Sequence, residues 1–148
     1  MASDASKQRG IRFLPHSRKV KVLLVDDDAG ELRLYRLTLE DRGFEVVTCT
    51  SFDAGTHCLD KETFDFVLVD QGSVAFEGRT VLDRAMQADR FRPVLVVTRC
   101  TDMRCYLEAM QMGAVDYLEK PLPPRDLLRF VETHVQYDRA RMQGSMAS

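Results

Sequence analysis

Five short apolar runs, at residues 20–25, 44–49, 65–69, 93–98 and 115–118, recur along the chain with longer stretches of helical spacing between them. Runs of four to six residues without polar alternation suit strands buried on both faces. In the first intervening stretch Leu32, Tyr35 and Leu39 fall at i, i+3 and i+7, with Leu34 and Leu37 widening the stripe and Gly43 placed to cap its end. Asp28 followed by Glu31 gives that helix a capping-box-like start, which the helix dipole also favours. The spacing predicts further helices at 53–61, 78–88, 102–112 (closed by Gly113) and 124–137, where Leu127, Leu128, Val131 and Val135 follow Pro123-Pro124. Five strands alternating with five helices predict an α/β fold, a doubly wound five-stranded parallel sheet with helices on both faces.

The chain has 148 residues, 45% apolar and 30% charged, as expected of one soluble globular domain. It contains no run of 18 apolar residues and no secretory h-region, so neither a membrane span nor export is expected, and the location expected is cytoplasmic. Cys49, Cys58, Cys100 and Cys105 stand singly in the sequence and read as reduced, small apolar fillers. A net charge of −2 hides an asymmetry, because residues 1–21 carry six Lys/Arg against the single Asp4. Residues 1–18 are expected to form a basic flexible arm, with contact to an acidic partner or nucleic acid as the alternative, and 138–148 a flexible tail.

Four of the runs end in residues suited to phosphate chemistry: Asp26-Asp27, Asp70, Thr98 and Lys120. In an open parallel sheet ligands bind beyond the C-terminal strand edge where strand order reverses, so these residues should share one site. Three carboxylates about 4 Å apart repel by roughly 4 kcal/mol per pair at an effective dielectric near 20, so positive charge must sit among them. An oxygen-only donor set suits a small hard cation, Mg²⁺ or Mn²⁺, and disfavours zinc. A carboxylate neutralised in this way can attack a phosphoryl group and form an aspartyl phosphate. Lys120 would hold a fixed positive charge for the phosphoryl oxygens, and Thr98 would supply a hydroxyl donor.

Together, VLLVDDD at the first strand end, DFVLVD with Gly78 eight residues beyond Asp70, PVLVVT, and GAVDYLEKP with Lys120 twenty-two residues after Thr98 carry a specific likeness. Over residues 19–137 the chain resembles the CheY-like receiver domain of bacterial two-component response regulators. The resemblance implies a flavodoxin-like sheet of order 2-1-3-4-5, with Asp70 as phosphoacceptor. It implies Asp27 as a direct Mg²⁺ ligand, Asp26 as a ligand acting mainly through water, and Asp70 and the backbone carbonyl of Gly72 as further ligands. Thr98 and Lys120 would bind the phosphoryl group, the Lys120-Pro121 bond would be cis, and Tyr117 would be an aromatic switch that changes rotamer when Thr98 moves. A sensor histidine kinase or a histidine phosphotransfer protein would supply phosphate, in a phosphorelay. An output protein would read the face of the fourth helix, fifth strand and fifth helix. Direct DNA binding and membrane contact are not expected; the state expected is a monomer or a phosphorylation-linked dimer. The chain would be a phosphoacceptor signalling protein rather than an enzyme, catalysing only its own phosphorylation and dephosphorylation.

The pattern departs from the family in places. Ser73 and Val74 stand where Met-Pro is usual, removing proline's rigidity from the loop. Arg99 stands where a small residue is usual, followed by Cys100, and both are expected to modulate the site. The guanidinium would cover the acceptor or pair with phosphate, altering the rates of phosphorylation and dephosphorylation. Taken singly, Asp26 or Asp28 reads as a cap, Asp70 as a loop residue, Lys120 as a solvated charge, Thr98 as a β-branched strand residue and Tyr117 as a half-buried aromatic. Two other functions remain open: a pseudo-receiver that binds a partner without phosphate, and a haloacid-dehalogenase-type phosphatase using Asp26-x-Asp28. Against the second, Gly30 replaces the usual Thr or Val, and Asp70 is left without a role. The 28 residues after Lys120 are expected to hold one helix and a tail but no separate output domain, as in a single-domain regulator or a receiver cut from a longer chain.

Overall fold

The computed structural model describes residues 18–147, with side chains through Val135. The basic arm lies outside the described residues except for Arg18, which forms a two-bond ion pair with Asp65 at 3.0 Å. Ten elements alternate strictly: β1 (Lys21–Val25), α1 (Ala29–Asp41), β2 (Glu45–Cys49), α2 (Phe52–Lys61), β3 (Phe66–Asp70), α3 (Arg79–Ala88), β4 (Val94–Thr98), α4 (Met103–Met112), β5 (Asp116–Glu119) and α5 (Pro124–Ala147). Every strand pairing is parallel, and the order β2-β1-β3-β4-β5 reverses direction between β1 and β3. The doubly wound α/β sheet and its 2-1-3-4-5 order are therefore as expected.

The apolar runs lack polar alternation because both sheet faces are covered. Val22, Leu24, Phe66, Leu68, Leu95 and Val97 pack with Leu32, Tyr35, Leu39, Leu127 and Val131 of α1 and α5. The intervening Leu23, Val25, Val67, Val69, Val94 and Val96 pack with Leu59 of α2, Val81, Leu82 and Ala85 of α3, and Cys105 and Ala109 of α4. Each large aliphatic side chain buried this way contributes roughly 1.5–3 kcal/mol, so the sheet and its two helical layers dominate stability. Among the described residues no helix is long and apolar enough to cross a membrane.

The helix ends follow their sequence signals. Asp28 accepts the Glu31 N–H at 3.0 Å to start α1, and Asp102 accepts the Cys105 N–H at 2.9 Å to start α4. Gly43 and Gly113 end the same two helices with φ of 90° and 108°, where a side chain would be strained.

Three expectations are corrected. Leu34 and Leu37 do not widen the buried stripe of α1, being 56% and 52% exposed, because each lies two residues, about 200° around the helix, from a buried neighbour. The backbone of α5 continues to Ala147 rather than ending at 137. Its apolar stripe stops at Val135, so periodicity falls silent there, while the following Arg, Ala, Met and Gln are good helix formers. Finally, Cys100 is exposed rather than a buried filler; Cys49 and Cys58 are free thiols as expected, and β2 and α2 bring their Sγ atoms to 3.4 Å. Burial pushes the Cys49 thiol up to about 12. Cys105 is buried as a filler.

Candidate functional site

Strand register builds the site. Val25 pairs with Val69, Asp70 with Val97, and Thr98 with Glu119, so Asp26, Asp70, Thr98 and Lys120 emerge side by side at one sheet edge. Asp27 follows in the turn before α1. Asp26, Asp27 and Asp70 each offer a carboxylate oxygen within 4.8 Å of the others. Three oxygen donors with no His or Cys among them fit a small hard divalent cation.

Lys120 reaches into this cluster from the other side. Its Nζ stands 2.5 Å from Asp26, 2.7 Å from Glu31 and 3.1 Å from Asp70. Burial pushes the Asp26 carboxyl up to about 6, although hydrogen bonds from Lys120 and the Asp28 N–H pull the other way. Burial alone would lower the Lys120 ammonium, yet its hydrogen bonds to Asp26 and Glu31 prevail and raise it. The direction that holds for the pair is ionised Lys120 beside an Asp26 that surrenders its proton late. Asp70 Oδ2 also accepts the Gly72 N–H at 2.8 Å, leaving Oδ1 toward Lys120.

A cavity of about 330 Å³ opens over these groups, lined by Asp27, Phe52, Asp70, Gly72, Ser73, Glu77 and Arg99. The loop without Met-Pro is held by other means. Ser73 donates its N–H to Glu77 at 2.7 Å and its hydroxyl at 2.8 Å, which holds the Glu77 carboxyl below its ordinary range. Gly72 takes φ 86° beneath that carboxylate, and a Cβ there would collide with it. The expected loss of loop rigidity is thus offset by hydrogen bonds.

Arg99 lines the cavity together with Asp70 and pairs with Asp28 at 3.1 Å, with side chains 63% and 41% exposed. Thr98 is turned into its own loop, donating to the Cys100 carbonyl at 2.9 Å and accepting the Cys100 N–H at 3.1 Å. Tyr117 is buried, its hydroxyl bonded to Gln71 and accepting the Asp102 N–H at 3.1 Å. The Lys120-Pro121 bond is cis. Three residues of the site were absent from the sequence reading of it. Glu31 had a signal, being the first-turn acid of a helix that starts at the site; Gln71 and Glu77 had only their proximity to Asp70 and Gly78.

The sequence profile described as the response regulator receiver domain matches residues 22–132. The alginate biosynthesis transcriptional regulatory protein AlgB of Pseudomonas aeruginosa is 36% identical over 107 residues, covering 72% of this chain and 24% of that protein. The sensor protein GacS of Pseudomonas syringae is 34% identical over 120 residues, covering 78% of this chain and 13% of that protein. The chain therefore spans a quarter or less of these relatives. Among solved structures, a CheY-like receiver domain protein from Methanospirillum hungatei superposes with a TM-score of 0.78 at 26% identity, covering 84% of this chain and 99% of that one. With matching motifs, strand order and profile, the chain belongs to the receiver domain family of two-component response regulators.

Proposed function

We propose that Asp70 accepts a phosphoryl group from a sensor histidine kinase or a histidine phosphotransfer protein, and that this controls a partner-binding face. The observation that carries the reading is Asp70 itself, opening on the cavity beside Asp26 and Asp27 with Lys120 at 3.1 Å. In the transfer, a bond forms between an Asp70 carboxylate oxygen and phosphorus while the donor histidine's P–N bond breaks. Lys120 presents a fixed positive charge to the arriving oxygens. Asp26, Asp27, Asp70 and the Gly72 carbonyl would hold Mg²⁺ or Mn²⁺, which supplies charge neutralisation for the carboxylates and the phosphoryl oxygens. Thr98 would leave its two bonds to Cys100 to reach the phosphate, and Arg99 and Cys100 would set the rate from the rim.

The proposed output face is α4, β5 and α5, where Met103 and Leu107 present exposed apolar surface. AlgB is named a transcriptional regulator and GacS a sensor, so sequences similar to this chain occur in proteins of both kinds. Asp28 bonds to the Glu31 N–H and pairs with Arg99, which leaves the Asp-x-Asp of a phosphatase without its second member at the cavity.

The test is intact mass after incubation with acetyl phosphate and Mg²⁺. One hydroxylamine-labile phosphoryl group should appear on the parent and none on Asp70→Asn. No gain from either acetyl phosphate or a cognate kinase overturns the reading in favour of the pseudo-receiver. Hydrolysis of p-nitrophenyl phosphate that survives Asp70→Asn and is lost in Asp26→Asn overturns it in favour of the phosphatase.

A further inference from the structure

A buried glutamine joins the acceptor strand to the switch tyrosine. Gln71 follows Asp70 directly in the chain and is only 1% exposed. An amide buried this deeply is costly unless both of its ends are satisfied, and both are. Its Nε2 donates to the Ser73 carbonyl at 3.1 Å, which fixes Oε1 as the end facing Tyr117. The Tyr117 hydroxyl accepts the Asp102 N–H, so its own proton is free to go to Gln71 Oε1. The Gln71 backbone is pinned as well, its N–H donating to Val97 at 2.7 Å and its carbonyl accepting the Gly78 N–H at 3.0 Å. One rigidly held side chain thus ties together the loop after Asp70, the middle of β5 and the first turn of α4.

The Thr98 hydroxyl bonds to Cys100 and also stands within hydrogen-bonding influence of the Tyr117 phenol, while the acceptor of the Tyr117 proton is Gln71. Tyr117 is therefore inward while Thr98 faces its own loop rather than Asp70. We propose that Gln71 is a positioning residue that latches Tyr117 inward in the phosphate-free protein, so that the Tyr117 rotamer and the start of α4 are set there by the Gln71 amide. The inference rests on the receiver reading above, since it concerns how phosphate on Asp70 communicates with that face. Before phosphoryl transfer the latch keeps the β5–α4 surface in one arrangement, and a phosphoryl group on Asp70 must act against it to change that face.

The experiment is ¹⁹F NMR of the full chain labelled with 3-fluorotyrosine, with the Tyr117 signal assigned through Tyr117→Phe. Spectra are recorded with Mg²⁺, before and after adding beryllium fluoride as a phosphoryl mimic. Without the mimic the parent signal should sit at a buried position, with little solvent isotope shift. In Gln71→Met, which keeps the length but loses both polar ends, the signal should move toward the exposed position without the mimic and return when it is added. Gln71→Glu, which retains an acceptor for the tyrosine, should restore the parent position. A Gln71→Met signal that stays buried without the mimic overturns the latch. So does a parent signal at the exposed position without the mimic, a measurement that decides the matter even if Gln71→Met does not fold. Uptake of phosphate from acetyl phosphate, measured on the same samples, separates the two readings. A parent that takes up none sinks the receiver chemistry, while the latch is still judged from the spectra without mimic.

Discussion

Lys120 carries more of this molecule than a phosphate-binding role requires. Its ammonium is the only described cation within 4 Å of Asp26, and it also holds Glu31 and Asp70. Removing one partner of a buried ion pair leaves the other uncompensated, so Lys120→Ala should destabilise the cation-free protein by about 3 kcal/mol near neutral pH. The loss should be smaller near pH 5, where Asp26 can take up a proton instead. Urea denaturation at the two pH values measures both, and an equal loss at each would show that Asp26 is not the group left stranded. The Arg99–Asp28 pair offers a contrast at the same scale. Both side chains are well exposed, so the pair adds little to stability, although Arg99 also lines the cavity.

At the scale of elements, the join between β3 and α3 sets the position of Asp70. Gly78, at the start of α3, lies so close to the Asp70 carbonyl that a Cβ would collide with it, and its N–H bonds the Gln71 carbonyl at 3.0 Å. Gly78→Ala should therefore cost about 1–3 kcal/mol through overpacking, despite alanine's better helix propensity, and should slow labelling by acetyl phosphate. Thermal melts and the labelling time course check the two effects. In α1 the packing separates residues that look alike in sequence. Leu39 is fully buried and Leu37 is 52% exposed, so Leu39→Ala should cost about 2–5 kcal/mol and Leu37→Ala less than about 0.5 kcal/mol in urea denaturation.

At the scale of the whole molecule, the acidic edge carries a stability cost that the proposed cation would relieve. Burial raises Asp26 from the ordinary 3.8 to about 6, so the folded chain binds its proton more tightly than the unfolded chain does. This group's stabilising contribution is complete below 3.8 and is lost as pH rises through about 6. A divalent cation held by these carboxylates would compete with that proton and, binding only the folded chain, would at a hundredfold excess over Kd add about 2.7 kcal/mol. The rise in Tm on adding Mg²⁺ should therefore be larger near pH 7.5 than near pH 5, and Asp27→Ala should abolish it. A shift that persists in Asp27→Ala would move the ion to another site.

The period of the apolar runs was legible in the sequence because a strand buried on both faces and a one-sided helix leave different patterns. The family and the residues of the strand edge were legible as well, because chain spacing and a parallel register bring successive strand ends together. Asp26, Asp70, Thr98 and Lys120 needed no more than that. Only the tertiary structure decided which side chains meet between elements: Glu31 on Lys120, Asp28 on Arg99, Gln71 on Tyr117 and Cys49 beside Cys58. It also decided that Leu34 and Leu37 face outward and that Thr98 turns to Cys100. Periodicity records which way a side chain points from its own element. Its partner depends on how neighbouring elements are spaced and rotated, and no local pattern in the chain encodes that.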